Sequence, residues 1–368
     1  MFRFVMFNIV LMKRLWFESL PSAKMERLIL ILLFIPLYSF GQEQTISDGP
    51  YIFIEKNKLI EKKIINSKVL SMTLKTSSYD TIYFPEKATF NKIRKIAAVS
   101  DIHGQYDLLI KLLKNNKIID KNLNWSFGKG HLVITGDIFD RGDKVNEVLW
   151  LIYKLEIQAK NKDGRVHFLL GNHEYMILYN DLRYLHEKYR LSSELLNLEY
   201  DELYSDQTII GRWLRSKSTI VKINNIIFTH GGISEDFISY RDFNIEKIND
   251  IMRDSIPQSR EELQSNNFYK MYYGTKSLIW YRDYFTNRLT DTDISKILKL
   301  VDSDHIVVGH TSNEEVVHLY NNKIFGVDSS IKKGKYGEVL IIKDKGFFRR
   351  TRFFRGTLNG KLIELVSQ

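Results

Sequence analysis

The chain has 368 residues, a formal charge of +10 and 44% hydrophobic residues, including 22 Phe and 20 Tyr. This composition supplies a sizeable core and excludes a wholly disordered chain. Cysteine is absent, which excludes disulfides, thiolate metal sites and cysteine nucleophiles, so any metal ligands must be N or O.

From Met25, Arg27 leads into the apolar run Leu28 to Leu37, and Ser39-Phe40-Gly41 places small residues at −3 and −1 of a cleavage site. Residues 1–41 therefore read as a leader, with Met25 as the alternative start. The expectation is export to a bacterial periplasm or medium. A retained anchor is the competing reading, although the run is short for a membrane span. This segment carries five basic and two acidic residues, so the rest of the chain is +7. That excess reads as Lys-rich solvated faces, with no specific nucleic-acid partner and membrane contact only through a retained leader.

Residues 42–94 alternate apolar positions such as Tyr51, Phe53 and Ile60 and predict short strands of an N-terminal extension without chemistry. From Lys95 a repeated pattern begins: an aliphatic run, an abrupt polar cluster, then a helical spacing. The runs are Ile96 to Val99, Leu132 to Ile134, Val166 to Leu170, Ile226 to Phe228 and Ile306 to Val308. Helices are predicted over Tyr106 to Leu113 and Val145 to Leu155. This alternation predicts an α/β catalytic domain over 95–368, its buried sheets covered by helices. Stretches at about 175–218 and 235–300 break the rhythm and read as insertions bordering the site. The tail from Val316 to Leu365 has hairpin character.

Five clusters close the five runs: Ser100-Asp101-Ile102-His103-Gly104, Gly136-Asp137-Ile138-Phe139-Asp140-Arg141-Gly142, Gly171-Asn172-His173-Glu174, Thr229-His230-Gly231-Gly232 and Gly309-His310-Thr311. Each alone is weak, because an Asp after a strand is commonly a turn former and a lone His is commonly structural. Together they supply N and O ligands at strand ends, where α/β folds bind ligands. Asp101 and His103, two apart in an extended strand end, would point the same way. Asp137 can bridge two ions because a carboxylate has two oxygens.

This ordered set resembles the calcineurin-like metallophosphoesterase superfamily. The Asp-Arg-Gly extension and the Gly-Asn-His-Glu cluster resemble its phosphoprotein phosphatase branch, of serine/threonine type. The resemblance spans about residues 95–330. It implies a four-layer αββα sandwich of two mixed sheets flanked by helices, with helical insertions. It also implies two divalent ions, manganese favoured and iron or zinc compatible. Asp101, His103 and Asp137 would hold the first ion, with Asp137 shared, and Asn172, His230 and His310 the second. A hydroxide between the ions would then attack a phosphate monoester directly. His173 would be the general acid, Asp140 its orienting carboxylate, and Arg141 a phosphate clamp. Leu278-Ile279-Trp280-Tyr281-Arg282 resembles a segment of the Shewanella-like bacterial phosphatases and makes Arg282 a second clamp.

The implied substrate is a phosphorylated protein or small phosphate ester. One alternative on the same scaffold is a nucleotide or dinucleoside polyphosphate hydrolase or a phosphodiesterase. A remote alternative is a non-catalytic basic binding protein using Phe347 to Arg355. No counterpart of the Ser-Ala-Pro-Asn-Tyr-Cys loop of eukaryotic members is found. The other histidines, His131, His167, His186, His305 and His318, read as structural.

Overall fold

Every aliphatic run singled out above becomes a strand. The computed structural model describes residues 45–366, apart from 241, 265–266 and 345–350. The expected leader and cleavage site lie outside the described residues. In chain order the strands are β1 (Asp48–Glu55), β2 (Lys58–Ile65), β3 (Lys68–Leu74), β4 (Thr89–Phe90), β5 (Lys95–Val99), β6 (His131–Ile134), β7 (Arg165–Phe168) and β8 (Ile220–Ile223). They continue with β9 (Ile226–Thr229), β10 (His305–Val308), β11 (Val317–Leu319), β12 (Ile324–Gly326), β13 (Val339–Lys343), β14 (Arg352–Gly356) and β15 (Leu362–Leu365).

Two six-stranded mixed sheets result, one ordered β15-β14-β13-β5-β6-β7 and the other β11-β12-β10-β9-β8-β4. β5, β6 and β7 run parallel, as do β9 and β10. Strands buried on both faces have to be apolar at every position, which is why these runs show no polar alternation. The two faces still separate by residue parity. Ile96, Ala98, Val133, Phe228, Val307 and Phe325 share one apolar cluster that joins residues of both sheets. Ala97, Val99, Leu132, Ile134, Ile306 and Val308 instead join the larger core with the helices.

The helix Tyr106–Asn115 buries Leu109, Leu112 and Leu113 along one stripe. The helix Val145–Lys160 buries nine residues and packs on β7, while Ile245–Asp254 packs on β8. The predicted helices extend further, to Asn115 and Lys160, and in the second Ala159 continues the buried stripe of Ile152 and Leu155. The arrangement is two stacked mixed sheets with helices outside them.

β1, β2 and β3 form a separate antiparallel sheet. A buried polar network ties it to the body. Asp48 accepts hydrogen bonds from Tyr51 (2.6 Å), Asn146 (3.0 Å) and Ser192 (2.7 Å), with the Lys188 ammonium 3.2 Å away. The stretch 175–218 contains the helices Glu187–Leu196 and Ile209–Arg215, and 235–300 contains Glu235–Tyr240, Ile245–Asp254 and Asp291–Leu300 among others. Among the described residues, no helix is long and apolar enough to cross a membrane.

Of the basic aromatic patch, residues 347–350 lie outside the described residues. The remainder is engaged internally: Arg352 pairs with Glu364, Arg355 with Glu338 and Glu315, and Phe353 stacks on Phe325 at 4.3 Å. Phe353 and Phe354 are both buried, one in each of the two apolar clusters, so this part of the patch is a strand of the sheet.

Candidate metal centre

The five polar clusters sit at the carboxyl ends of β5, β6, β7, β9 and β10, three from one sheet and two from the other. Stacking the sheets therefore brings them to one edge of the fold. All six predicted ligands, together with His173 and Asp140, are buried there.

Asp137 Oδ2 occupies the middle. It lies 3.7 Å from His103 Nε2, 3.8 Å from His173 Nε2 and 3.2 Å from His230 Nε2. Asp137 Oδ1 accepts the His173 backbone N–H at 3.1 Å. One oxygen, rather than the expected two, faces the shared position. On one side, Asp101 Oδ2 is 3.8 Å from His103 Nε2. On the other, His230 Nε2 is 2.8 Å from Asn172 Oδ1 and 3.1 Å from His310 Nδ1. Two groups that share Asp137, His103-Asp137-His173 and Asp137-His230-His310, have ligand-type atoms within 4.8 Å of one another.

Asp101 and His103 converge for a different reason from strand parity. Both lie past the end of β5 in left-handed backbone, with φ of 51° and 44°, and Asp137, Asp140, Arg141 and His310 are left-handed too. That region is costly for residues with a Cβ and concentrates at functional sites. Close approach of the loops also fixes Gly171. A Cβ there would lie 2.5 Å from Asp137 Oδ1 and 2.9 Å from His230 Cγ.

The electrostatics call for cations. Burial, then the neighbouring Asp328 and Asp137, pushes the Asp101 carboxyl up to about 7. Burial opposes an imidazolium at His230, yet Asp137 outweighs it and moves His230 up to about 9. The same histidine, followed by His173, holds Asp137 well below the carboxylate range despite its burial. His103 Nε2 and His310 Nε2 are buried without a hydrogen-bond partner among the described residues, while His103 Nδ1 and His230 Nδ1 are each held by a backbone carbonyl. Ring nitrogens and carboxylate oxygens gathered in this way fit hard or borderline divalent ions.

Beside the ligands, His173 Nδ1 lies 2.5 Å from Asp140 Oδ2, which leaves Nε2 toward the centre. Burial works against charging His173, but Asp137 and Asp140 outweigh it and raise its pKa. Arg141 is exposed and lies over the Tyr184 ring, its Cζ 5.0 Å from the centroid. Arg282 is also exposed; its Nη1 donates to the His310 carbonyl at 2.8 Å, and Trp280 packs edge-on against the His310 ring. Of the remaining histidines, His131 and His167 bond to each other, His305 reaches the Asn322 carbonyl and His186 caps a helix.

Three neighbours carried no clear sequence signal. Lys332 Nζ lies 3.7 Å from Asp101 Oδ2 and 3.2 Å from Asp328 Oδ2. Glu174, quoted within its cluster but given no role, is fully buried. Its carboxylate accepts backbone N–H bonds from Asp137 (2.8 Å), Ile138 (2.7 Å) and Gly171 (2.7 Å), so it sets the loop that carries Asp137. Glu174→Ala should lower stability by about 3 kcal/mol or more, since each stranded donor costs roughly 1–3 kcal/mol. Glu174→Gln should recover part of that. Urea titration of the metal-free protein measures it, and an unchanged midpoint for the alanine variant would show that the carboxylate does not hold the loop.

Comparison with known proteins decides the family. The calcineurin-like phosphoesterase family model matches residues 94–320. The chain belongs to this family. A cold-active protein tyrosine phosphatase structure is 40% identical, with a TM-score of 0.84, covering 88% of this chain and 100% of that one. The cold-active protein-tyrosine phosphatase of a psychrophilic Shewanella species gives 39% identity and a TM-score of 0.83, covering 87% of this chain and 100% of its own. Shewanella-like protein phosphatase 1 of Plasmodium berghei is 28% identical over 315 residues, 82% of this chain and 81% of that protein. This calcineurin-like phosphoesterase is a metal-dependent phosphatase, and its fold is that of the family.

Proposed function

We propose that the chain hydrolyses phosphate monoesters of phosphoproteins, phosphotyrosine included, at a dinuclear centre. The observation that carries this reading is the His173-Asp140 pair, with the His173 Nε2 directed at Asp137 and the exposed Arg141 and Arg282 nearby. The phosphoprotein part draws on relatives described as protein phosphatases and protein tyrosine phosphatases.

Asp101, His103 and Asp137 would hold one ion, and Asn172, His230 and His310, with Asp137, the other; manganese is favoured, with iron or zinc compatible. When bound, such ions supply Lewis acidity that makes water nucleophilic near neutral pH and offsets phosphate charge. Arg141 and Arg282 would grip terminal oxygens, of which a monoester has more to offer than a diester. His173 would donate the Nε2 proton to the leaving oxygen, with Asp140 fixing the ring and stabilising its charged form. Export rests on the leader motif alone.

Stripping the protein and reloading it with Mn, Fe or Zn separately, then offering phosphopeptides, nucleotides, a dinucleoside polyphosphate and a diester, tests the reading. Metal-dependent cleavage of phosphopeptides is expected to dominate. A preference for nucleotides or diesters would replace it with the alternative chemistry on the same scaffold.

A further inference from the structure

We infer that Tyr184 sets the leaving-group preference of the site, favouring aryl over alkyl phosphate monoesters by presenting an aromatic wall beside His173. The inference rests on the monoester reading above and extends it to a residue that nothing else assigns.

Tyr184 lies beyond the helix Asn172–Leu178, in the stretch that departs from the strand-and-helix rhythm. Its ring centroid is 5.3 Å from that of the His173 imidazole, tilted by 49°. It is held from two directions by Arg141, whose guanidinium lies over the ring and whose backbone N–H donates to the Tyr184 carbonyl at 3.1 Å. Arg183, itself paired with Asp181 through two hydrogen bonds of 2.7 and 2.8 Å, lies 5.7 Å from the same ring. The ring is thus ordered by its surroundings, yet Tyr184 stays 43% exposed while His173 and Asp140 beneath it are buried. An exposed, pinned aromatic next to a buried proton donor offers contact area at little entropic cost.

The reaction fixes what that surface would meet. The P–O bond to the leaving oxygen breaks with its electron pair remaining on that oxygen. His173 Nε2 supplies the proton, and water supplies the new P–O bond. The carbon bonded to the leaving oxygen must therefore sit next to the imidazole, and the Tyr184 ring is the neighbouring carbon surface. A serine or threonine side chain ends within one or two carbons and has little to lay against it. The ring of a tyrosyl leaving group can stack or meet it edge-on, an interaction that changes affinity by about two- to tenfold.

The test uses the full chain loaded with metal, matched phosphotyrosine and phosphoserine peptides, and the variants Tyr184→Leu, Tyr184→Met and Tyr184→Phe, each checked for folding by thermal melting. Wild type should prefer phosphotyrosine. Leu and Met should lower the phosphotyrosine-to-phosphoserine ratio of kcat/KM by about three- to tenfold, chiefly through KM, and Phe should keep it. A ratio unmoved by Leu or Met would mean that Tyr184 only braces Arg141, which overturns the inference, as would a wild type preferring phosphoserine. Neither result touches the monoester reading. That reading fails separately if wild type cleaves neither peptide while cleaving nucleotides or diesters, and the inference then falls with it.

Discussion

His173→Asn is expected to keep its metal and lose turnover by roughly 10²- to 10⁴-fold on a phosphoserine peptide. The geometry separates the two properties. His173 Nδ1 is committed to Asp140, and its Nε2 stands 3.8 Å from Asp137 Oδ2, next to the cage without belonging to the six proposed ligands. Asparagine retains a polar side chain but has no proton to deliver at neutral pH. Burial opposes a charged ring, but Asp137 and Asp140 outweigh it and raise the pKa of the histidine, which favours the protonated form that the leaving group needs. An alkoxide needs that proton far more than a phenoxide, whose conjugate acid has a pKa near ~10. The loss should accordingly be smaller on phosphotyrosine than on phosphoserine. Elemental analysis and steady-state kinetics on both peptides check it, and normal turnover of phosphoserine by the variant would remove His173 from the role of acid.

Asp137→Asn should weaken metal binding and activity together, metal affinity by about 10²-fold or more. Changing a residue that merely orients a ligand already costs roughly 10–100-fold in affinity, and Asp137 Oδ2 lies within 3.8 Å of three imidazoles. An amide in its place either turns N–H donors toward His103 and His230 or gives up the bond from the His173 N–H. Calorimetric titration of the stripped protein with manganese measures the first effect and saturating-metal kinetics the second. A variant with wild-type manganese affinity would show that Asp137 is not shared between the proposed ions.

Much of the architecture was legible because parallel strands buried on both faces have to be written as uninterrupted aliphatic runs, and β5, β6, β7, β9 and β10 fall on the five runs to within two residues. The ligand types were legible for a related reason. Loops at the carboxyl ends of such strands need Gly, Asp, Asn and His for turning as well as for chemistry, so each cluster marks both a strand end and a site. The extension over 42–94 was less legible: alternation revealed its strands, but not the Asp48 network that reaches Asn146 and Ser192.

By itself, then, the sequence determined which side chains were available and in what order, since backbone periodicity and turn chemistry are local. Tertiary structure alone decided that Asp137 presents one oxygen to the centre, that Glu174 holds its loop from 36 or 37 positions away, and that Lys332 comes beside Asp101. It also set Tyr184 over Arg141 and against His173. Those relations arise where separate loops are pressed together by the stacking of two sheets, and burial then fixes their charges; no local pattern encodes either.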